Sequence, residues 1–190
     1  FERPIPFSGN GLPGVMLASA AQTYAQRYGA LPGRKVVLCT NNDGAYEAAL
    51  ALRDAGCEIV AIVDSRSDPG AAARAAADRG IEVIRDTAPL AAKGGRAVRG
   101  LVVTTLDGSR KRTLGCDTVL TSDGWNPAVH LHSQSGGSLA YDHGLQAFLP
   151  KGAAQNAVNV GAAAGILDID GAIANARAPA KGEAGAAPSI

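Results

Sequence analysis

The sequence predicts an α/β fold: a parallel sheet into which an antiparallel β-meander is inserted, with part of a second domain attached. Three stretches predict it. Residues 35–66 read strand, turn, helix, strand, because the runs 36–39 and 59–63 are short, β-branched and uninterrupted, as parallel strands buried on both faces require. Residues 69–84 add an alanine-rich helix over 69–79 and a strand over 81–84, with Pro69 suited to a first turn and Gly80 to a stop. From Val98 the pattern changes. Two extended runs, 98–106 and 110–114, flank Asp107-Gly108, a type I′ hairpin signal.

In the first of these stretches Ala45, Ala48, Ala49, Leu52 and Ala55 form a helical stripe that Gly56 can close as the C′ residue. The second strand stops at Asp64, about 20 residues beyond the first turn, where a dinucleotide-binding fold places the acid that accepts from a ribose. Laid over G-x-G-x-x-G, the turn has Thr40, Asn42 and Ala45 at the glycine positions, and only the third substitution is one the fingerprint allows. The physical requirement survives the degeneracy. A helix N-terminus carries unbonded N–H groups and a positive dipole end, and Asn41 or Asn42 can adopt left-handed backbone in place of glycine. The candidate site is therefore Thr40, Asn41, Asn42, Asp43, Gly44 and Ala45 at a pyrophosphate, with Asp64, Ser65 and Arg66 at the adenosine ribose. Asp64 would repel a 2′-phosphate, which favours NAD, although Arg66 lies two residues on.

Composition excludes several classes. The formal charge is +1 and aromatics make up 4%, so there is neither a basic nucleic-acid surface with interleaved aromatics nor a membrane-length apolar run. No signal peptide is visible, and the expectation is a soluble cytoplasmic protein. Cys39, Cys57 and Cys116 are odd in number and form no C-x-x-C, which points to core thiols and excludes a disulfide-reductase mechanism.

The remaining elements follow the chain. Residues 1–14 are too dense in Pro and Gly for helix or central strand and form an ordered connection. A helix over 19–28 and a break at 29–33 lead into the sheet. Residues 118–121 return as a buried strand, and Ser122 to Pro127, Ser-Asp-Gly-Trp-Asn-Pro, turns at its carboxyl end, where open α/β sheets bind ligands. Ser122 and Gly124 join the candidate site there. His130, His132 and His143 have no carboxylate or cysteine at metal-like spacing, so no metal site is assigned. Residues 158–160 read as a strand, 161–165 as a glycine-flanked turn and 166–176 as the start of a helix. Residues 177–190 read as a linker or tail.

Phe-Glu-Arg-Pro-Ile-Pro-Phe with Leu-Pro-Gly-Val resembles the crossing point of flavoproteins that carry two dinucleotide-binding domains. Thr40-Asn-Asn-Asp, with Gly124-Trp-Asn-Pro-Ala-Val-His-Leu-His-Ser-Gln-Ser-Gly-Gly, narrows the resemblance to the α subunit of heterotetrameric sarcosine oxidases. The resemblance implies a division into partial FAD-type segments (1–22 and 128–176) and a Rossmann-like NAD-binding domain (23–127). It also implies NAD in this domain, FMN and FAD in the parent complex, a partner β subunit, and tetrahydrofolate. The activity implied is oxidative demethylation of sarcosine to glycine, with formaldehyde or methylene-tetrahydrofolate and hydrogen peroxide. No catalytic residue is assigned, since the amine-oxidising residues would sit in another chain. No N-terminal G-x-G-x-x-G unit precedes Phe1, so the chain is expected to be a fragment. Gly161-Ala-Ala-Ala-Gly165 replaces the usual Gly-Asp of the re-entry strand, which puts an FAD contact there in doubt. Two alternatives stand beside this one: a nucleotide-free domain that docks partner subunits, and an NAD-dependent amine or amino-acid dehydrogenase using one of the three histidines.

Overall fold

The computed structural model describes residues 1–181. The described residues form two compact units, Glu2–Gly124 and a second made of Phe1 with residues 125–181. Residues 2–22 sit with the larger unit.

The larger unit is built on five parallel strands, β1 (Val15–Leu17), β2 (Lys35–Thr40), β3 (Glu58–Asp64), β4 (Val83–Ile84) and β8 (Thr118–Ser122). They form one sheet in the order β1-β8-β2-β3-β4. β2 and β8 hold ten of their eleven residues in the interior, which is why they read as unbroken apolar runs rather than as an alternation. Helices α1 (Ala18–Tyr28), α2 (Gly44–Asp54) and α3 (Gly70–Asp78) supply alanines to one core layer, Ala18, Ala21, Ala45, Ala48, Ala49, Ala73 and Ala76, which packs on Val36, Leu38, Ile62 and Leu120. Small side chains let the helices lie close to the sheet. A second core layer joins Val37, Cys39, Ala61, Val63 and Val119 to Val98, Leu101, Val103 and Leu114 of the meander. The meander consists of β5 (Thr87–Gly94), β6 (Val98–Thr105) and β7 (Lys111–Leu114), paired antiparallel in that order.

The α/β class, the parallel sheet and the inserted meander are as the sequence predicts, and the differences have local causes. β1 lies between the connection read over 1–14 and the helix read from 19, at residues assigned to no element in the sequence. It is three residues long and becomes a strand by pairing in parallel with β8, Val15 to Val119 and Leu17 to Thr121. β5 escapes the strand pattern because Pro89 interrupts it. The register shifts between Pro89 and Ala91, and a bulge on an edge strand is where a sheet accepts proline. The Asp107-Gly108 turn is not type I′. The Gly108 N–H bonds the Thr105 carbonyl at 2.8 Å, so Leu106 and Asp107 are the central residues, and neither has positive φ; Gly108 takes the left-handed position at φ 72°.

The second unit contains α4 (His130–Gln134), the hairpin β9 (Ser138–Asp142) and β10 (Ala147–Gly152), a 3-10 turn Gly161–Ala164 and α5 (Ile169–Ala180). The hairpin carries no Asn-Gly or Asp-Gly turn signal and is invisible in the sequence pattern. Residues 158–160 are not a strand. Among the described residues no strand pairs with them, and Val158 is exposed. Helix α5 carries helical structure to Ala180, four residues into the stretch read as a tail; residues 182–190 lie outside the described residues.

Candidate nucleotide site

The strand order places β2 between β3, reached through α2, and β8, reached from the opposite direction. The carboxyl ends of β2 and β8 are therefore a topological switch point, the place where open α/β sheets leave a crevice. The residues predicted for the site converge there. Thr40 pairs with Asp64 across β2 and β3 and with Ser122 across β2 and β8. All three are buried.

Asn42 ties these ends together. Its Nδ2 donates to the Ser122 carbonyl and to Ser122 Oγ, each at 3.1 Å, and to Thr40 Oγ1 at 3.2 Å. Its Oδ1 accepts from the Ala45 N–H at 3.2 Å, so Asn42 caps α2. The Tyr46 N–H is taken by the Asp43 carbonyl. The N–H groups of Asp43 and Gly44 make no hydrogen bond among the described residues and remain the donors an anion could use. A Cβ built at Gly44 would meet nothing nearer than Asn42 Oδ1 at 3.5 Å, so this end of the helix is open. Asn41 donates to Asp123 at 2.6 Å, and the Arg3 Nε donates to the Asp123 carbonyl at 2.8 Å. Gly124, at φ 84°, accepts from the Arg3 N–H through its carbonyl.

Asp64 is 0% exposed and fully partnered. Its Oδ2 accepts from Tyr46 Oη and from Arg66 Nη2, both at 2.8 Å. Its Oδ1 accepts from the Arg66 main-chain N–H at 2.9 Å and from Arg66 Nε at 3.1 Å. Arg66 also reaches Asp43 through Nη1 at 2.8 Å. Burial, then the Asp64 carboxylate, push the Tyr46 phenol up, and the hydrogen bonds to Asp64 hold Arg66 more firmly protonated. One guanidinium faces two carboxylates, so the local charge is net negative, a poor place for a 2′-phosphate. Ser65 contributes through its backbone, donating its N–H to the Thr40 carbonyl at 3.1 Å.

Tyr46 is the member that sequence reasoning missed. It lies between Ala45 and Ala48 of the apolar stripe, and a tyrosine there signals a buried hydroxyl in need of an acceptor. Two groups here have the chemistry a dinucleotide would need, the Asp43 and Gly44 N–H groups and the Asp64 carboxylate, the latter covered by Arg66.

The histidines do not come together as a site. His132 is buried, its Nδ1 2.9 Å from Asn159 Nδ2 and its Nε2 2.9 Å from the Ser138 carbonyl. Asn159 therefore donates to Nδ1 and the proton sits on Nε2. His130 stands edge-on to Phe1 and His143 edge-on to Tyr141. Among the described residues no group of three His, Cys, Asp or Glu could hold a metal, and no helix is long and apolar enough to cross a membrane. All three cysteines are free and buried, and burial raises each thiol, the state of an unreactive core cysteine.

No protein-family model matches the chain. Among solved structures, a thioredoxin reductase from T. acidophilum superposes with a TM-score of 0.63 at 14% identity, over 87% of this chain and 58% of that one. An L-proline dehydrogenase from P. horikoshii gives 0.58 at 16%, over 97% and 34%. At such identities the likeness concerns the fold. An opine oxidase subunit of Agrobacterium tumefaciens (strain Ach5) is 29% identical over 78% of the chain and 33% of that protein. The alpha subunit of sarcosine oxidase from Corynebacterium sp. (strain U-96) is 36% identical over 98% of the chain and 20% of that protein. The same subunit of Rhizobium meliloti (strain 1021) is 37% identical over 86% of the chain and 16% of that protein. Over most of its length, then, the chain is homologous to one segment, a fifth or less, of the alpha subunit of sarcosine oxidase.

Proposed function

We propose that this chain is the NAD-holding segment of a sarcosine oxidase alpha-like subunit, with NAD bound rather than turned over. The observation that carries the reading is the homology, across nearly the whole chain, to that subunit. The convergence of Asp64, Thr40 and Ser122 at the switch point supports it. In this reading the Asp43 and Gly44 N–H groups hold the pyrophosphate and Asp64 accepts from the adenosine ribose. Asn41, Asn42, Ala45, Ser65, Arg66, Ser122 and Gly124 shape and close the site. NAD would supply a bound nucleotide, and the residues here would orient it and take no part in bond making. The parent complex would carry FAD and FMN, include a beta subunit, and use tetrahydrofolate. It would oxidise sarcosine to glycine in the cytoplasm, with formaldehyde or methylene-tetrahydrofolate and hydrogen peroxide as further products.

Titration calorimetry of the full chain with NAD tests this. One NAD per chain is expected, weakened about tenfold or more by Asp64→Ala, which removes the ribose acceptor. Absence of binding would overturn the reading. A second reading has its own observation: Asp64 is buried and fully partnered, and Asn42 already caps the helix. A domain that has lost its nucleotide and docks partner subunits would look the same. Mass spectrometry of small molecules released on denaturing the purified protein separates the two, NAD favouring the first and no nucleotide the second.

A further inference from the structure

A cavity of about 420 Å³ opens at the end of β4, against the meander. It shares no residue with the nucleotide site. Four cationic residues line it, Arg85, Arg110, Lys111 and Arg112, and no carboxylate does. That is a local departure in a chain that balances 18 basic residues against 17 acidic ones. Two carboxylates that bear on these cations are already engaged. Glu82 holds Arg112 in a bidentate pair at 2.5 and 2.9 Å. Asp107, close enough to feel Arg110, accepts from Thr105 and Ser109 in its own turn, which brings its carboxyl down to about 2. The Arg85 guanidinium and the Lys111 ammonium form no ion pair or hydrogen bond among the described residues, while Thr87 Oγ1 donates to the Arg85 main-chain carbonyl at 2.7 Å. Like charges gathered round one concavity repel, and an anion placed among them relieves that repulsion.

The cavity also has apolar walls. Val103 is 2% exposed and Ile84 half-buried, and both line it together with Thr87. The volume suits one small molecule. The absence of any aromatic in the lining argues against single-stranded nucleic acid, which needs stacking platforms. We propose that this cavity is a second binding site, for a small organic dianion, a phosphate or paired carboxylates on a compact apolar body. Arg85, Arg110 and Lys111 contact the anionic head, Arg112 is held in place by Glu82, and Ile84 and Val103 take the body.

The test is calorimetry on the full chain with phenyl phosphate, phthalate and inorganic phosphate. At least one organic dianion should bind about tenfold more tightly than inorganic phosphate, and the tighter of the two identifies the head group. The double variant Arg85→Gln, Lys111→Gln should weaken it about tenfold or more while leaving NAD affinity unchanged. Lys111→Gln alone, at an exposed edge-strand position, should weaken it about threefold and serves if the double variant proves unstable. The proposal is overturned if neither organic dianion binds below about 10 mM, if the variants bind as the wild type does, or if NAD displaces the dianion. Failure of NAD binding with dianion binding intact would count against the proposed function and leave this site standing.

Discussion

Replacing Arg66 with alanine tests the structural account of Asp64 directly. Asp64 accepts four hydrogen bonds, and the Arg66 side chain supplies two of them, from Nε and Nη2. Hydrogen bonds to a charged group contribute about 1.5–3 kcal/mol each. The Arg66 side chain is 31% exposed and the Asp64 side chain 0%, so removing the guanidinium also lets water reach the carboxylate, which recovers about half of the loss. The expected cost is about 2 kcal/mol, below the value for a buried charge left with no compensation. In a domain of this size that lowers the melting temperature by about 4–8 °C. Asp43→Ala is the internal control, since it breaks the Arg66 pair on a side that is 66% exposed and should cost less than about 0.5 kcal/mol. Both variants are to be read by denaturant unfolding and by calorimetry of the larger unit's transition. If Arg66→Ala costs no more than Asp43→Ala, Asp64 is not held as described, and the reasoning from its burial fails.

Asn42→Ala removes the cap on α2 and the bridge to Ser122, and should cost about 1–2 kcal/mol by the same unfolding assay; a loss within error would refute the capping role. Gly14 lies at φ 102°, and a Cβ there would stand 2.7 Å from the Asp117 carbonyl oxygen. Gly14→Ala should therefore destabilise by about 2–4 kcal/mol, with a wild-type melting temperature counting against the pairing of β1 with β8. The buried acids that keep their protons set an alkaline limit. Burial raises Cys39, Cys116 and Tyr46, Cys116 from 9.0 to about 11. The unfolded chain then releases these protons first, so the contribution is fully present below 9.0 and is lost progressively as the pH rises toward 11. Unfolding free energies across that interval should fall; a flat profile, or one unchanged by Cys116→Ala, would contradict the assignment.

What the sequence discloses about this fold depends on how each element earns its stability. β2, β3 and α2 are legible because their burial is written in period and length, and the place of Asp64 at the end of β3 follows from where that apolar run stops. β1, β5 and the β9–β10 hairpin are not, since each is made by its partner. β1 needs the free edge of β8, and β5 tolerates Pro89 because β6 supplies its other bonds. The candidate site divides the same way. Thr40, Asn42, Asp64 and Ser122 are read from position, whereas the role of Tyr46 and the closure of Arg66 over Asp64 are tertiary facts that no spacing encodes. The stretch 158–160 errs in the other direction, being β-branched enough to suggest a strand with no described edge to pair with.

The four donors to Asp64 differ in mobility, and that difference decides what a ligand would have to do. Tyr46 Oη comes from a side chain 1% exposed in the core, and the Arg66 N–H from the main chain. The first cannot leave without unpacking α2 from β3, nor the second without moving the main chain that follows β3. Arg66 Nε and Nη2 sit on a partly exposed side chain that keeps a second anchor on Asp43. The displaceable donors are thus two, one on each carboxylate oxygen, and a ribose presents two adjacent hydroxyls. Under the NAD reading, binding exchanges two guanidinium bonds for two hydroxyl bonds, and Arg66 swings onto Asp43. Two consequences follow. NAD affinity is reduced by the strength of the Arg66 fork, so Arg66→Ala should bind NAD more tightly than wild type while being less stable alone. Under the docking reading nothing displaces the fork, and Arg66→Ala loses stability with no gain in nucleotide affinity. Opposite signs in the two measurements on one variant are what a ribose site closed by its own arginine requires.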